Sequence, residues 1–440
     1  MTAFALRAAL VTFGGDPFVD GLVAARQYVH DAIVVIDDGR IRDCGPAEEV
    51  RARLAADVPV TTYANALITA GFVDAHVHFP QLPIIGAGGK PLLDWLAAYT
   101  FPAEARYADP DHARAVARVY LRENLRNGIT SAAVFGTVHA ASVDALCTEA
   151  DALGLRLVAG KSLMDRSAPP GLLDTAQRGY DESKDLIARW HGKGRLGYAI
   201  TPRFAVTSTP AQLDAAGTLK REHPDVHVQS HLSENRAEIA EVARLFPGCA
   251  SYLDVYAKHG LTGPRTIYGH GVHLYEADFR ALHESGTALA HCPTSNSFLG
   301  SGLFRLAAAT EPKRPVRVGL ATDVGGGTSL SMLRTMQAAC EVAQMTGTPV
   351  APSGALYLAT RGAARALDLD GRIGSVAPGM EADLTVLDLR STPLVDFRMR
   401  NVDDIDEALA VQMALGDDRA IRATYVGGRL LHDREMGSEL

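Results

Sequence analysis

Two histidines two residues apart, His76 and His78 in GFVDAHVHFPQ (71–81), stand in a run that reads as a buried strand. Side chains two apart on a strand point the same way, so both imidazoles address one point in space. Three more residues able to hold a metal follow far downstream, each closing an apolar run: His231 in VQSHLSEN, His270 in TIYGHGVH and Asp323 in VGLATDVGGG. Any one of the chain's 15 histidines at a strand end would be an ordinary hydrogen-bonded structural residue. Four histidines and an aspartate, all at strand ends, predict a metal site. Imidazole and carboxylate without thiolate suit zinc, and iron accepts the same ligand types. Such a site activates water for hydrolysis.

Other polar residues stand close to these in sequence. Glu234 follows His231 by three residues, where a turn or helix start can fold its carboxylate back toward the cluster. An acid there is favoured by a helix dipole, and in chemistry it would carry a proton from the activated water to a ring nitrogen or leaving group. Asp323 can hold the metal or the water. Arg203 in AITPRF reads either as a surface ion pair or as a donor to a substrate carbonyl. Phe204 beside it reads as core or as a stacking platform. Gln81 carries a donor and an acceptor, which suits an amide-like ring edge as well as an ordinary loop. Gly325, Gly326 and Gly327 lack the frame of a phosphate-binding loop and read as a tight turn beside the site. His291 and Cys292 have no evident activating partner and read as structural.

These residues need a frame that gathers distant strand ends. Eight apolar segments alternate with helical ones, at 71–78, 129–135, 155–163, 196–204, 226–232, 265–270, 287–292 and 316–323. That number and order predict an α/β fold, a (β/α)8 TIM-type barrel, in which sites lie at the C-terminal strand ends. An open doubly wound sheet would not bring its first and eighth strand ends together. One helix is plain: Pro110 opens it, Ala113, Val116, Ala117, Tyr120 and Leu121 share a face, and Gly128 can stop it. Before the barrel, ALRAALVTF and AIVVIDDGRIRDCG read as short strands with an Asp-Gly turn; the same texture returns in GRIGSVAPGMEADLTVLDL, with Pro378-Gly379 as a turn, and in ATYVGGRLLHDRE. Residues 1–66 and 368–440 are therefore expected to pair into one small β domain flanking a barrel at 67–367.

At 47% apolar and 21% charged, the 440-residue chain has the composition of an ordinary globular protein. A net charge of −8 without basic clusters argues against nucleic acid, so a small molecule is the expected partner. No run approaches the roughly 18 apolar residues of a membrane span, and MTAFALRAALVTFGGDPF lacks a signal-peptide core. Five scattered cysteines without a C-x-x-C pair point to a reducing cytoplasm.

HVH after a strand, HLSE, YGHGVHL, HCPTSNSFLGSG and TDVGGG, in that order, resemble the metal-dependent amidohydrolase superfamily. Within it, PLLDWLAAYTFPAEARY (91–107), MDRSAPPGLLDT (164–175) and ITPRF are similar to the guanine deaminases, and the likeness spans nearly the whole chain. The resemblance implies a barrel with a small β-sandwich domain formed by both chain termini, and a homodimer. It implies His76, His78, His231, His270 and Asp323 as ligands of one zinc per subunit, with iron as the alternative. It further implies Glu234 and Asp323 as catalytic groups and Gln81, Arg203 and Phe204 as contacts to a purine substrate. Binuclear relatives carry a carbamylated lysine at the end of the fourth strand; Arg203 stands there instead, which favours one metal. The implied reaction converts guanine to xanthine and ammonia: metal-activated water attacks carbon 2, Glu234 protonates nitrogen 3 and then helps the amine leave, and Asp323 accepts a proton from the water. Two other readings are deamination of a different amino-substituted ring, such as 8-oxoguanine, ammeline or another aminotriazine, and a non-catalytic scaffold. The intact set of costly converging polar groups argues against the scaffold.

Overall fold

Strand and helix alternate through the middle of the chain as the apolar segments require. The computed structural model describes residues 3–435, so the outer limits expected for the terminal domain, residues 1 and 440, lie outside the described residues. The eight barrel strands are Phe72–His78, Ile129–Phe135, Arg156–Gly160, Gly197–Pro202, His227–Leu232, Thr266–His270, Ala288–His291 and Val318–Leu320. Each pairs in parallel with the next in sequence. The third continues after a break as Ser162–Leu163, which pairs with the fourth.

The ring is nearly closed, and the closing bonds lie where the candidate residues are. Asp323 N donates to His76 O at 3.0 Å and His78 N to Val324 O at 3.1 Å. The buried Asp74 carboxyl adds to this seam by accepting from Thr322 N at 2.9 Å and from the Thr322 hydroxyl. First and eighth strand ends therefore meet, as a barrel demands and an open sheet would not allow.

The helix opened by Pro110 runs Pro110–Arg126, with the Asp109 side chain capping it by accepting from Asp111 N. Ala113, Ala117, Tyr120 and Leu121 are buried on its inner face, whereas Val116 is only partly buried; Gly128 follows with φ 75°. No described helix is long and apolar enough to cross a membrane. All five cysteines are unpaired.

The chain ends do build one β unit. In spatial order its seven strands are Arg429–Asp433, Ile421–Val426, Leu384–Asp388, Val60–Ala70, Phe4–Phe13, Arg26–Asp37 and Arg40–Pro46. All pairings are antiparallel except that of Phe4–Phe13 with Val60–Ala70. The Asp-Gly turn forms as expected, with Asp38 at φ 46° and Gly39 at φ 75°, the left-handed pair of a tight hairpin. The inward face encloses its own core of Leu6, Ile36, Ile68, Leu384, Val386 and Tyr425. This strand unit is the mixed terminal sheet beside the barrel.

Candidate active site

Alternation along Phe72–His78 sends His76 and His78 to the same side, and both are buried. Two overlapping trios, His76–His78–His231 and His76–His270–Asp323, each offer ligand atoms within 4.8 Å of one another. His76 thus links all five predicted ligands into one cluster. Nε2 of His78 and of His231 lie 3.0 Å apart, and Asp323 Oδ1 lies 3.5 Å from His76 Nε2 and 3.7 Å from His78 Nε2. The other carboxylate oxygen of Asp323 is 3.7 Å from His270 Nε2. Neighbouring glycine makes room: a Cβ on Gly269 would stand 2.6 Å from the His76 ring. Backbone strain concentrates here as well, with φ 75° at His270, 48° at Asp323 and 49° at Ser233.

The donor set suits a divalent cation. His231 Nδ1 lies 2.6 Å from the Arg203 carbonyl, which can only accept, so the ring proton sits on Nδ1 and the Nε2 lone pair is free. His270 Nδ1 meets Asn296 Oδ1 at 2.9 Å and frees its Nε2 in the same way. His76 Nε2 is buried with no hydrogen-bond partner in the protein. Burial first, and neighbouring imidazoles next, push the pKa values of His76, His78 and His231 far below the usual histidine range, so these rings are neutral lone-pair donors. Burial raises the Asp323 carboxyl to about 7, a shift that a cation among these groups would oppose.

Glu234 lies in the bend before the helix Arg236–Leu245, outside its first turn. The helix-start acid is Glu238, which forms a capping box with Asn235 and also accepts from Glu234 N at 3.0 Å. Glu234 is therefore free to face the cluster, its Oε2 3.4 Å from His270 Nε2 and its Oε1 accepting from the Ser301 hydroxyl at 2.8 Å. Burial raises its carboxyl to about 7.

Across the cleft, Arg203 immediately follows the fourth barrel strand. It is ion-paired, but the pair is buried: Nη1 lies 2.6 Å from Glu104 Oε2, so of the two readings the surface ion pair is the one that does not hold. Gln81 is buried in the short 3-10 helix Phe79–Ile84, and its amide donates to Glu104 Oε1 at 3.0 Å. Phe204 is buried, lines the cleft and stands 6.3 Å from the His231 ring. One cleft is lined by His78, His231, His270, Asp323 and Glu234 together with Gln81, Arg203 and Phe204. Leu92, Trp95, Leu96 and Leu299 supply its apolar lining.

Sequence reasoning passed over Glu104, Ser301, Asn296 and Phe135. The Phe135 ring lies 4.5–5.0 Å from those of His76, His78 and His231, and its place at the end of the second barrel strand was the available signal. The glycine run is the tight turn expected, since a Cβ on Gly326 would stand 2.7 Å from Ser295 Oγ. His291 stacks on Phe304 at 4.4 Å, and Cys292 is buried with its thiol pKa pushed well up, which suits structural parts. Lys161, after the third strand, is buried against Asp174 and leaves the fourth strand end to Arg203.

A match to the amidohydrolase family extends over residues 67–431, taking in every barrel strand. The chain belongs to the amidohydrolase family. Among amidohydrolase relatives, it is 46% identical over 413 residues to the guanine deaminase of Escherichia coli (strain K12), covering 94% of each chain. The solved structure of E. coli guanine deaminase superposes with a TM-score of 0.95 at 45% identity, over 98% of this chain and 100% of that one. A guanine deaminase from C. acetobutylicum, solved with guanine bound in its active site, gives a TM-score of 0.86 at 27% identity, over 98% of this chain and 100% of that one.

Proposed function

We propose that this amidohydrolase deaminates guanine, releasing xanthine and ammonia, as a zinc-dependent enzyme of purine breakdown. The observation that carries the reading is a single cleft with His78, His231, His270 and Asp323 on one wall and a buried arginine–glutamine pair on the other, in a chain 46% identical to a guanine deaminase. His76, His78, His231, His270 and Asp323 would hold the ion. A zinc ion there supplies a Lewis acid that makes water acidic enough to attack near neutral pH.

The chain's own groups do the rest. Glu234 takes a proton from the attacking water and delivers it to nitrogen 3 of the ring, then assists the amine on carbon 2 to leave as ammonia. Its carboxylate faces the cluster at His270 and is held by the Ser301 hydroxyl, a placement that suits both halves of that transfer. Asp323 accepts the second proton of the water, and that proton passes to the amine as the carbon 2–nitrogen bond breaks and the carbon 2 carbonyl forms, so that ammonia leaves. Arg203 donates to the ring carbonyl, Gln81 meets the polar ring edge, and Phe204 lies against the ring face. Excluding water around these groups strengthens each contact.

The five unpaired cysteines support a reducing, cytoplasmic setting, and the homodimer belongs to the reading through the family resemblance. An ammonia-release assay over guanine, 8-oxoguanine, ammeline and other aminotriazines tests it. Guanine should give the highest kcat/KM; a triazine or 8-oxoguanine at the top would replace this substrate assignment.

A further inference from the structure

Arg203 and Gln81 arrive from different elements, one after the fourth barrel strand and one in the turn after the first, yet a single side chain joins them. Glu104 is fully buried. Its Oε2 accepts from Arg203 and its Oε1 from Gln81, so both oxygens of one carboxylate are spent on two groups that line the cleft. A carboxylate only accepts, which settles which end of the Gln81 amide is the NH2 and stops it from turning over. The amide oxygen then faces Gly325 N at 3.4 Å. The same charge offsets the Arg203 guanidinium, which would otherwise be a lone buried cation beside a cation-binding cluster.

The segment that carries Glu104 is built to deliver it. Leu92–Trp95 is a helical turn, Leu96–Thr100 a π turn and Phe101–Ala105 a helical turn. Because a π turn bonds residues five apart, it returns Phe101 to the side already occupied by Leu96, and Glu104 follows three residues later on that face. Leu92, Trp95 and Leu96 line the cleft, the Phe101 ring centre lies 5.9 Å from the Arg203 guanidinium, and Glu104 holds the guanidinium itself.

We propose that Glu104 is a positioning residue for substrate choice: it locks Arg203 and Gln81 into one recognition unit that selects rings presenting a carbonyl over rings that lack it. The inference rests on the proposed guanine deamination. Its test uses the metal-loaded full chain, the Glu104→Gln variant and the more conservative Glu104→Asp, with kcat and KM measured for guanine and for 2-aminopurine, which lacks oxygen 6. Hydrogen-bonding sites reject analogues missing the bonded group by about 10⁴–10⁵. Glu104→Gln should cut the guanine preference at least about tenfold, chiefly through guanine KM, with bound metal and the unfolding midpoint near wild type. Glu104→Asp, which keeps the charge, should retain more of the preference, and it alone decides the matter if Glu104→Gln does not fold. An undiminished preference in the folded variants, or equal losses on both substrates, would overturn the role of Glu104. If the wild-type chain itself fails to turn over guanine, the proposed function falls first and this inference with it.

Discussion

On one wall of the cleft, His78, His231, His270 and Asp323 turn with His76 toward a shared point, and His76 Nε2 has no hydrogen-bond partner in the protein. On the other, Arg203 and Gln81 each donate one hydrogen bond to the two oxygens of the Glu104 carboxylate. Both walls bury polar groups, which is tolerable only when each finds a partner. The first wall is rich in lone pairs and poor in protons, an arrangement that becomes favourable around a cation. The second is balanced within the protein, so it is preorganised to read a neutral ring by hydrogen bonding. The contrast teaches that the two walls have separable tasks, and separate perturbations should show it.

Removing the ion should have the largest effect, because it empties the first wall of its purpose. Exhaustive chelation is expected to abolish ammonia release, and one equivalent of zinc or iron per chain to restore it. Full turnover in verified metal-free protein would break the division of labour at once. Next in size is Glu234→Gln, which keeps the shape and removes the proton carrier. Turnover should fall by about 10²–10⁴ with metal content near wild type. Loss of the metal along with activity would make Glu234 part of the ligand set.

Away from both walls, Tyr63→Phe probes the terminal sheet, where the buried hydroxyls of Tyr63 and Tyr425 lie 2.6 Å apart. Losing that bond should lower the unfolding free energy by about 1 kcal/mol, read by denaturant titration. The kcat/KM for guanine should not change; a change would join this sheet to the chemistry of the cleft.

The first wall was legible in the sequence because its residues close regular strands. His76 and His78 share a face by the two-residue repeat, and His231, His270 and Asp323 end or closely follow apolar runs whose count of eight implies a ring. Helix and hairpin signals were equally local: Pro110 and Gly128 bracket one helix, and Asp38-Gly39 makes the turn it promises. The second wall was legible only in part. Arg203 and Gln81 showed as candidates, but the surface reading of Arg203 failed because nothing local reveals a carboxylate 99 residues away in sequence. Glu104 sits in a segment whose π turn breaks the 3.6-residue repeat, so periodicity does not flag its face. Ser301 and Asn296 were missed for a related reason. They act by bonding Glu234 and His270 across loops, and such pairings are set by the tertiary fold.

Arg203→Met separates the two walls, one to hold the ion and the other to read the ring. Bound metal per chain and kcat/KM for guanine and 2-aminopurine should be measured on the same preparations. The predicted result is an unchanged metal content, a large loss on guanine and a much smaller one on 2-aminopurine, so that the preference between them collapses. Equal proportional losses on the two substrates, or loss of the metal, would contradict the account and make Arg203 a support of the fold or of the ligand cluster.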